Sequence, residues 1–209
     1  MILIEVFRVR IVCSIIEQIL RIEHAMNGRE AFVKLMKGNE RYQNADRSAI
    51  DVSVFRRHNL VENGQHPIAT VISCSDSRVV PEAIFSVDIG DLFVIRVAGN
   101  VIGPMELASL EYAVGHLHTP LVFVLGHDHC GAVAAALEGG APGFIAAITN
   151  EIKEAIGSEK DPMEASRRNV SHTIERIKSA VKHFHGRQQR VVLCGGVYHQ
   201  ISGHVEIVE

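Results

Sequence analysis

Four short runs, Ile68–Ser73, Leu92–Val97, Leu121–Leu125 and Val191–Cys194, are apolar almost without a break and rich in β-branched residues. A strand with one wet face alternates apolar and polar side chains. A run without that alternation must be covered on both faces, as in a parallel sheet. Segments with helical spacing separate the runs. Pro104 suits a first helical position, with Leu107, Leu110, Val114 and Leu117 on one face. Asp161-Pro162-Met163-Glu164 reads as a capping-box-like start, followed by the stripe Val170, Ile174, Ile177, Val181 and Phe184. Arg29 to Tyr42 reads as a helix with Phe32, Leu35 and Met36 on one side, followed by a polar stretch to Gln65. Strands alternating with helices need crossover connections. The prediction is an α/β fold: a mostly parallel central sheet of four strands, flanked by helices, with a further strand-like piece at His204–Val208 closing an edge.

No internal repeat or linker divides the 209 residues, so one domain, 1–209, is expected. Residues 1–27 form an N-terminal extension. Its apolar stretch is interrupted by Glu5, Arg8, Arg10, Glu17, Arg21 and Glu23, and no small-residue cleavage site follows, which argues against a secretory signal or a membrane span. Val12, Ile15, Ile16, Ile19 and Leu20 fit one helical face, so an amphipathic helical arm packing on its own core or on a partner subunit is expected. The alternative is a start at Met26, and the intact mass of the native protein separates the two. A net charge of −3 with both signs interspersed and no basic block argues against nucleic acid or an anionic membrane as partner. The four cysteines do not form a compact disulfide framework, which predicts reduced thiols and a cytoplasmic location.

In an open α/β sheet, sites form beyond the carboxyl ends of the strands. The first run ends in Cys74-Ser75-Asp76-Ser77-Arg78, and the third ends in Gly126-His127-Asp128-His129-Cys130-Gly131. Two cysteines and a histidine from two strands therefore meet one edge. This sulfur–nitrogen–sulfur donor set suits zinc, and three ligands leave the fourth position open, as in a catalytic site. Cys194 ends the fourth run and is the alternative fourth ligand; Cys194 and Cys13 otherwise read as small buried hydrophobes. Cys130 opens a helical stretch whose N-terminus favours a thiolate, and Gly131 lets the backbone approach a ligand. Two thiolates cancel the charge of the ion, so help must come from residues around the ligands. Arg78 can hold Asp76 ionised through a two-pronged pair, leaving Asp76 to steer a zinc-bound hydroxide or to swing onto the metal as fourth ligand. On spacing alone, an ordinary loop salt bridge stands as the alternative. Alternate positions of an extended segment point the same way, which is the expected reason for the spacing of Cys74, Asp76 and Arg78.

"CSDSR" at 74–78 followed by "GHDHCGA" at 126–132 resembles the β-class carbonic anhydrases, whose hallmarks are C-x-D-x-R at a strand end and H-x-x-C downstream. "DLFVIRVAGN" and "LEYAV" between them agree, and the resemblance runs from about Ala31 to the C-terminus. It implies one Zn2+ per chain on Cys74, His127 and Cys130, a catalytic pair at Asp76 and Arg78, and reversible hydration of CO2 to bicarbonate and a proton through zinc-bound hydroxide. It further implies that Gln65 hydrogen-bonds the substrate, that Phe93, Ala98 and Tyr112 line an apolar pocket, some across a dimer interface, and that Gly131 is a backbone donor. The implied assembly is a homodimer or homotetramer. Taken alone, Phe93 and Tyr112 read as core aromatics, and Gln65 as a loop residue. The chain departs from many members at Arg96-Val97, is short between Asn100 and Leu110, and has no tryptophan. His129, His199 and His204 read as exposed histidines, with a proton shuttle as the alternative for His129. Rival functions are hydrolysis of a CO2 analogue (COS or CS2), a silent zinc scaffold, and a cysteine-based redox protein, which the lack of C-x-x-C disfavours.

Overall fold

The structure, a computed structural model, describes residues 26–45, 50–184 and 191–208. The predicted N-terminal arm and Cys13 lie outside the described residues. Five strands, β1 (Ala69–Ser73), β2 (Leu92–Arg96), β3 (Leu121–His127), β4 (Val192–Tyr198) and β5 (Val205–Ile207), form one sheet in the order β2-β1-β3-β4-β5. Every pairing is parallel except β4 with β5. The four expected strands and the edge piece are thus present. β4 runs four residues beyond its apolar run because Gly195 and Gly196, which dilute the pattern, are needed there. A Cβ on Gly195 would stand 2.7 Å from the Val124 carbonyl oxygen and 2.8 Å from a Val170 methyl.

The helices are α1 (Gly28–Gln43), α2 (Val54–Asn63), α3 (Pro81–Ile84), α4 (Pro104–Gly115), α5 (Gly131–Leu137), α6 (Ile145–Ile156) and α7 (Pro162–Val181). They cover both faces of the sheet, as the unbroken apolar runs require. From β3, Leu121, Phe123 and Leu125 join one core with Ala31 and Leu35 of α1. Val122 and Val124 join the other, with Leu110 and Val114 of α4 and Val170, Ile174 and Ile177 of α7. Asp161 caps α7 by accepting from the Glu164 N–H at 2.8 Å, with Pro162 in the first turn. Pro104 opens α4 as expected, and Leu117 falls just past its end. The polar stretch before Gln65 contains α2. Ser53 caps it and Arg56 ties it to Asp91 at 2.7 Å, but none of its residues is buried, so no apolar stripe marks it in the sequence. Among the described residues no helix is long and apolar enough to cross a membrane.

Candidate active site

β1 lies beside β3 with Ser73 opposite Leu125, so Cys74 and His127 reach the same edge of the sheet. Cys130 stands at the N-cap of α5. The two sulfurs and one ring nitrogen all lie within 4.8 Å of one another, and all three residues are buried. His127 Nδ1 is 2.7 Å from the Asp128 carbonyl oxygen. A carbonyl only accepts, so Nδ1 carries the proton and Nε2 presents its lone pair. That Nε2 is buried with no protein partner. A buried acceptor facing two buried sulfurs fits a tetrahedral zinc, whose bonds run about 2.0–2.3 Å. Val133, Ile152 and Ile156 pack round the ligands and keep their surroundings apolar.

The Cys74 sulfur accepts from the N–H groups of Gly99 at 3.2 Å and Asp76 at 3.4 Å. Gly99 holds a left-handed φ of 71°, where a Cβ would also stand 2.7 Å from Ile152. Its carbonyl is latched by Asn169 Nδ2 of α7 at 2.7 Å. The neighbouring Cys130 thiol, against the burial that opposes it, brings Cys74 down to about 4. Cys130 is pushed up by Cys74 and by burial. The two sulfurs act as one coupled pair in which Cys74 is drawn towards thiolate and Cys130 away from it, the opposite direction to the thiolate preference expected at Cys130. Burial disfavours a charged His127, but the Cys74 thiolate and Asp76 outweigh it and raise its pKa.

Asp76 and Arg78 form the predicted two-pronged pair, Arg78 Nε to Oδ1 at 2.9 Å and Nη2 to Oδ2 at 2.7 Å. The segment is not extended, contrary to the expectation from its spacing. Strand β1 ends at Ser73, and a turn follows in which the Val79 N–H donates to the Asp76 carbonyl at 3.0 Å and the Arg78 N–H to Asp76 Oδ1 at 2.9 Å. The turn folds Arg78 back over the carboxylate, which alternation along a strand would not do. These bonds, the Arg78 guanidinium first, hold the Asp76 carboxyl well below the usual carboxylate range. Asp76 Oδ2 stands 4.0 Å from His127 Nε2, at the open side of the ligand cluster. Arg78 also donates to the His129 carbonyl at 3.2 Å, tying the two loops together. Arg96, not singled out in the sequence, braces the turn from β2 by donating to the Cys74 and Asp76 carbonyls at 3.2 and 2.8 Å.

The other predicted residues are more dispersed. Gly131 follows Cys130 and leaves open space where a Cβ would stand. Ala98 begins the 3-10 turn that contains Gly99. Phe93 of β2 and Tyr112 of α4 pair at 6.1 Å between ring centroids; Phe93 borders the second core and Tyr112 is half-exposed. Gln65 is exposed on the loop before β1 and, among the described residues, makes no hydrogen bond to the cluster. Cys194 is buried in the first core, its thiol pushed up to about 12 by burial, and is not part of the ligand group. His129 is exposed, as expected. His199 instead bonds Glu206 at 3.0 Å and stacks on His204.

The sequence pattern of the carbonic anhydrase family matches residues 69–205. The chain is 49% identical over 107 residues to Carbonic anhydrase 2 of Mycobacterium tuberculosis, spanning 51% of each chain, about half the length of that relative. It is 37% identical over 193 residues to the carbonic anhydrase of Mycolicibacterium smegmatis, covering 85% of this chain and 91% of that one. Among solved structures, the β-carbonic anhydrase CafA of Aspergillus fumigatus superposes with a TM-score of 0.58 at 26% identity, over 73% of this chain and 85% of the other. With the ligand cluster, the Asp76–Arg78 pair and the sheet order in place, these likenesses establish that the chain belongs to the β-carbonic anhydrase family.

Proposed function

We propose that this protein catalyses the reversible hydration of CO2 to bicarbonate and a proton, with zinc held by Cys74, His127 and Cys130. The observation that carries the reading is the ionised Asp76, pinned by Arg78 with one oxygen 4.0 Å from the unpartnered His127 Nε2. Zinc held by Cys74, His127 and Cys130 would supply the Lewis acidity that activates water near neutral pH. The chain's part is orientation. Asp76, unable to donate, accepts a hydrogen bond from the attacking oxygen and aims its lone pair at the substrate. Arg78 and Arg96 keep that carboxylate at one position, because both of its oxygens and its own carbonyl are engaged. The N–H of Gly131, in the first turn of α5, is a donor for a developing bicarbonate oxygen. Phe93, Ala98 and Tyr112 are the proposed apolar walls, and Gln65 a donor brought in by assembly. We further propose a homodimer or homotetramer in the cytoplasm, where the two ligand thiols stay reduced.

Stopped-flow CO2 hydration on zinc-assayed protein tests this from about pH 6.5 to 9, a span over which Asp76 stays ionised. Asp76→Asn and Arg78→Ala are each expected to lower the rate by about a hundredfold or more while zinc stays bound. Wild-type protein with one zinc per chain and no turnover at any pH overturns the assignment.

A further inference from the structure

His127 is held from behind by a residue that lies 73 positions away in the chain. Gln200 sits in the turn between β4 and β5. Its Nε2 donates to the Asp128 carbonyl oxygen at 2.6 Å. Its backbone N–H is shared between the two Asp128 carboxylate oxygens, at 3.1 and 3.2 Å. The Asp128 N–H in turn donates to the Tyr198 carbonyl at 3.1 Å. Asp128, which is buried, is thus gripped at its amide by the last residue of β4 and at its carboxylate and carbonyl by Gln200. The carbonyl so gripped is the one that accepts the His127 Nδ1 proton. Gln200 Nε2 also approaches His127 Nδ1 at 3.2 Å. Both nitrogens carry protons, so they do not bond one another; they converge on one carbonyl oxygen and use one lone pair each.

We propose that Gln200 is a positioning residue for the metal. By holding the Asp128 carbonyl it keeps His127 in the tautomer with Nδ1 protonated and keeps the ring at the angle that aims Nε2 at the two thiols. The proposal rests on the reading of Cys74, His127 and Cys130 as metal ligands. A ring whose acceptor is free to drift samples the other tautomer, in which Nε2 has a proton and cannot bind an ion. Partners of this kind behind a metal-bound histidine typically change metal affinity by about tenfold to a hundredfold.

Gln200→Met tests it. The variant keeps the side chain's length, removes its donor and leaves the backbone N–H on the Asp128 carboxylate. Zinc affinity is measured on the full chain by competition with a chromophoric chelator. The His127 tautomer is read in zinc-free protein by long-range proton–nitrogen NMR, at a pH above the ring's pKa. Ser202→Ala is the control: it loosens the same turn by removing the oxygen that accepts from the His204 N–H at 3.3 Å, without touching Asp128. The expected result is zinc binding weakened by about tenfold or more in Gln200→Met, with both tautomers present, and wild-type behaviour in Ser202→Ala. Unchanged affinity and tautomer in Gln200→Met overturn the proposal and leave the ligand assignment standing. An equal loss in Ser202→Ala assigns the effect to the turn and overturns it too. Wild-type protein that binds no zinc overturns the ligand assignment and the proposal together. Should Gln200→Met fail to fold, the wild-type spectrum decides: the Nδ1–H tautomer alone supports the proposal, and a mixture overturns it.

Discussion

The buried Cys74–Cys130 pair holds a proton that metal binding must expel: Cys74 is drawn down to about 4 while Cys130 is pushed up, so the two sulfurs share one proton at neutral pH. Metal ligands bind deprotonated. Zinc uptake near pH 7 should therefore release at least one proton per chain, and affinity should rise with pH while that proton is bound. Calorimetry in buffers of different protonation enthalpy counts the protons; a count near zero would show that the two thiols do not share one. The candidate ligands were legible in the sequence because Cys74 and His127 end apolar runs and Cys130 follows closely, so strand ends and chemistry coincide. Arg96, Asn169 and Gln200 were not, because their partners are backbone carbonyls 22, 70 and 72 residues away, and a carbonyl has no residue type to betray it.

Helix α1, the short helix α3 and the β4–β5 hairpin meet at Asn39. Its Nδ2 donates to the Ile84 carbonyl at 3.2 Å and the Gly203 carbonyl at 2.8 Å. Its Oδ1 accepts from the Val205 N–H at 2.9 Å and Gln43 Nε2 at 3.0 Å. Asn39→Ala leaves several backbone groups unpaired in a buried place and should cost about 2–4 kcal/mol, read by urea unfolding of zinc-free protein. A loss below about 0.5 kcal/mol, the scale of an ordinary surface change, would show that water takes over these bonds. Close approach at this junction also explains Gly38, where a Cβ would collide with the Phe85 carbonyl oxygen. The elements legible in advance were the five strands and the stripe-burying helices α1, α4 and α7, together with α5, read from the helical stretch that Cys130 opens. Helix α2 buries nothing, and its chemistry reads as loop. Helix α6 does carry a signal, Ile148, Ile152 and Ile156 at intervals of four, which was there to be read.

Among the described residues β2 is an edge strand, and an unpaired parallel edge offers a row of N–H and C=O groups to another chain. Phe55 is 82% exposed, Val61 84% and Met105 75%, apolar side chains that a partner subunit could cover. Sedimentation equilibrium should return two or four times the 23.0 kDa chain mass. A monomer at assay concentration would remove the assembly from the proposed function, and with it the route by which Gln65 reaches a site.

The adjacency of β1 and β3 sets an order of events in time. Cys74 leaves one strand and His127 the other, while the chain between them runs through β2 and α4 before returning. Local helices form in microseconds, whereas pairing of distant parallel strands waits on a long excursion of the chain. On the proposed ligand set, no ion can find all three side chains until that excursion has closed. Metal capture is therefore expected late in folding, and a cobalt ion offered to the refolding chain would act as a clock that starts to colour only when the slowest pairing is complete.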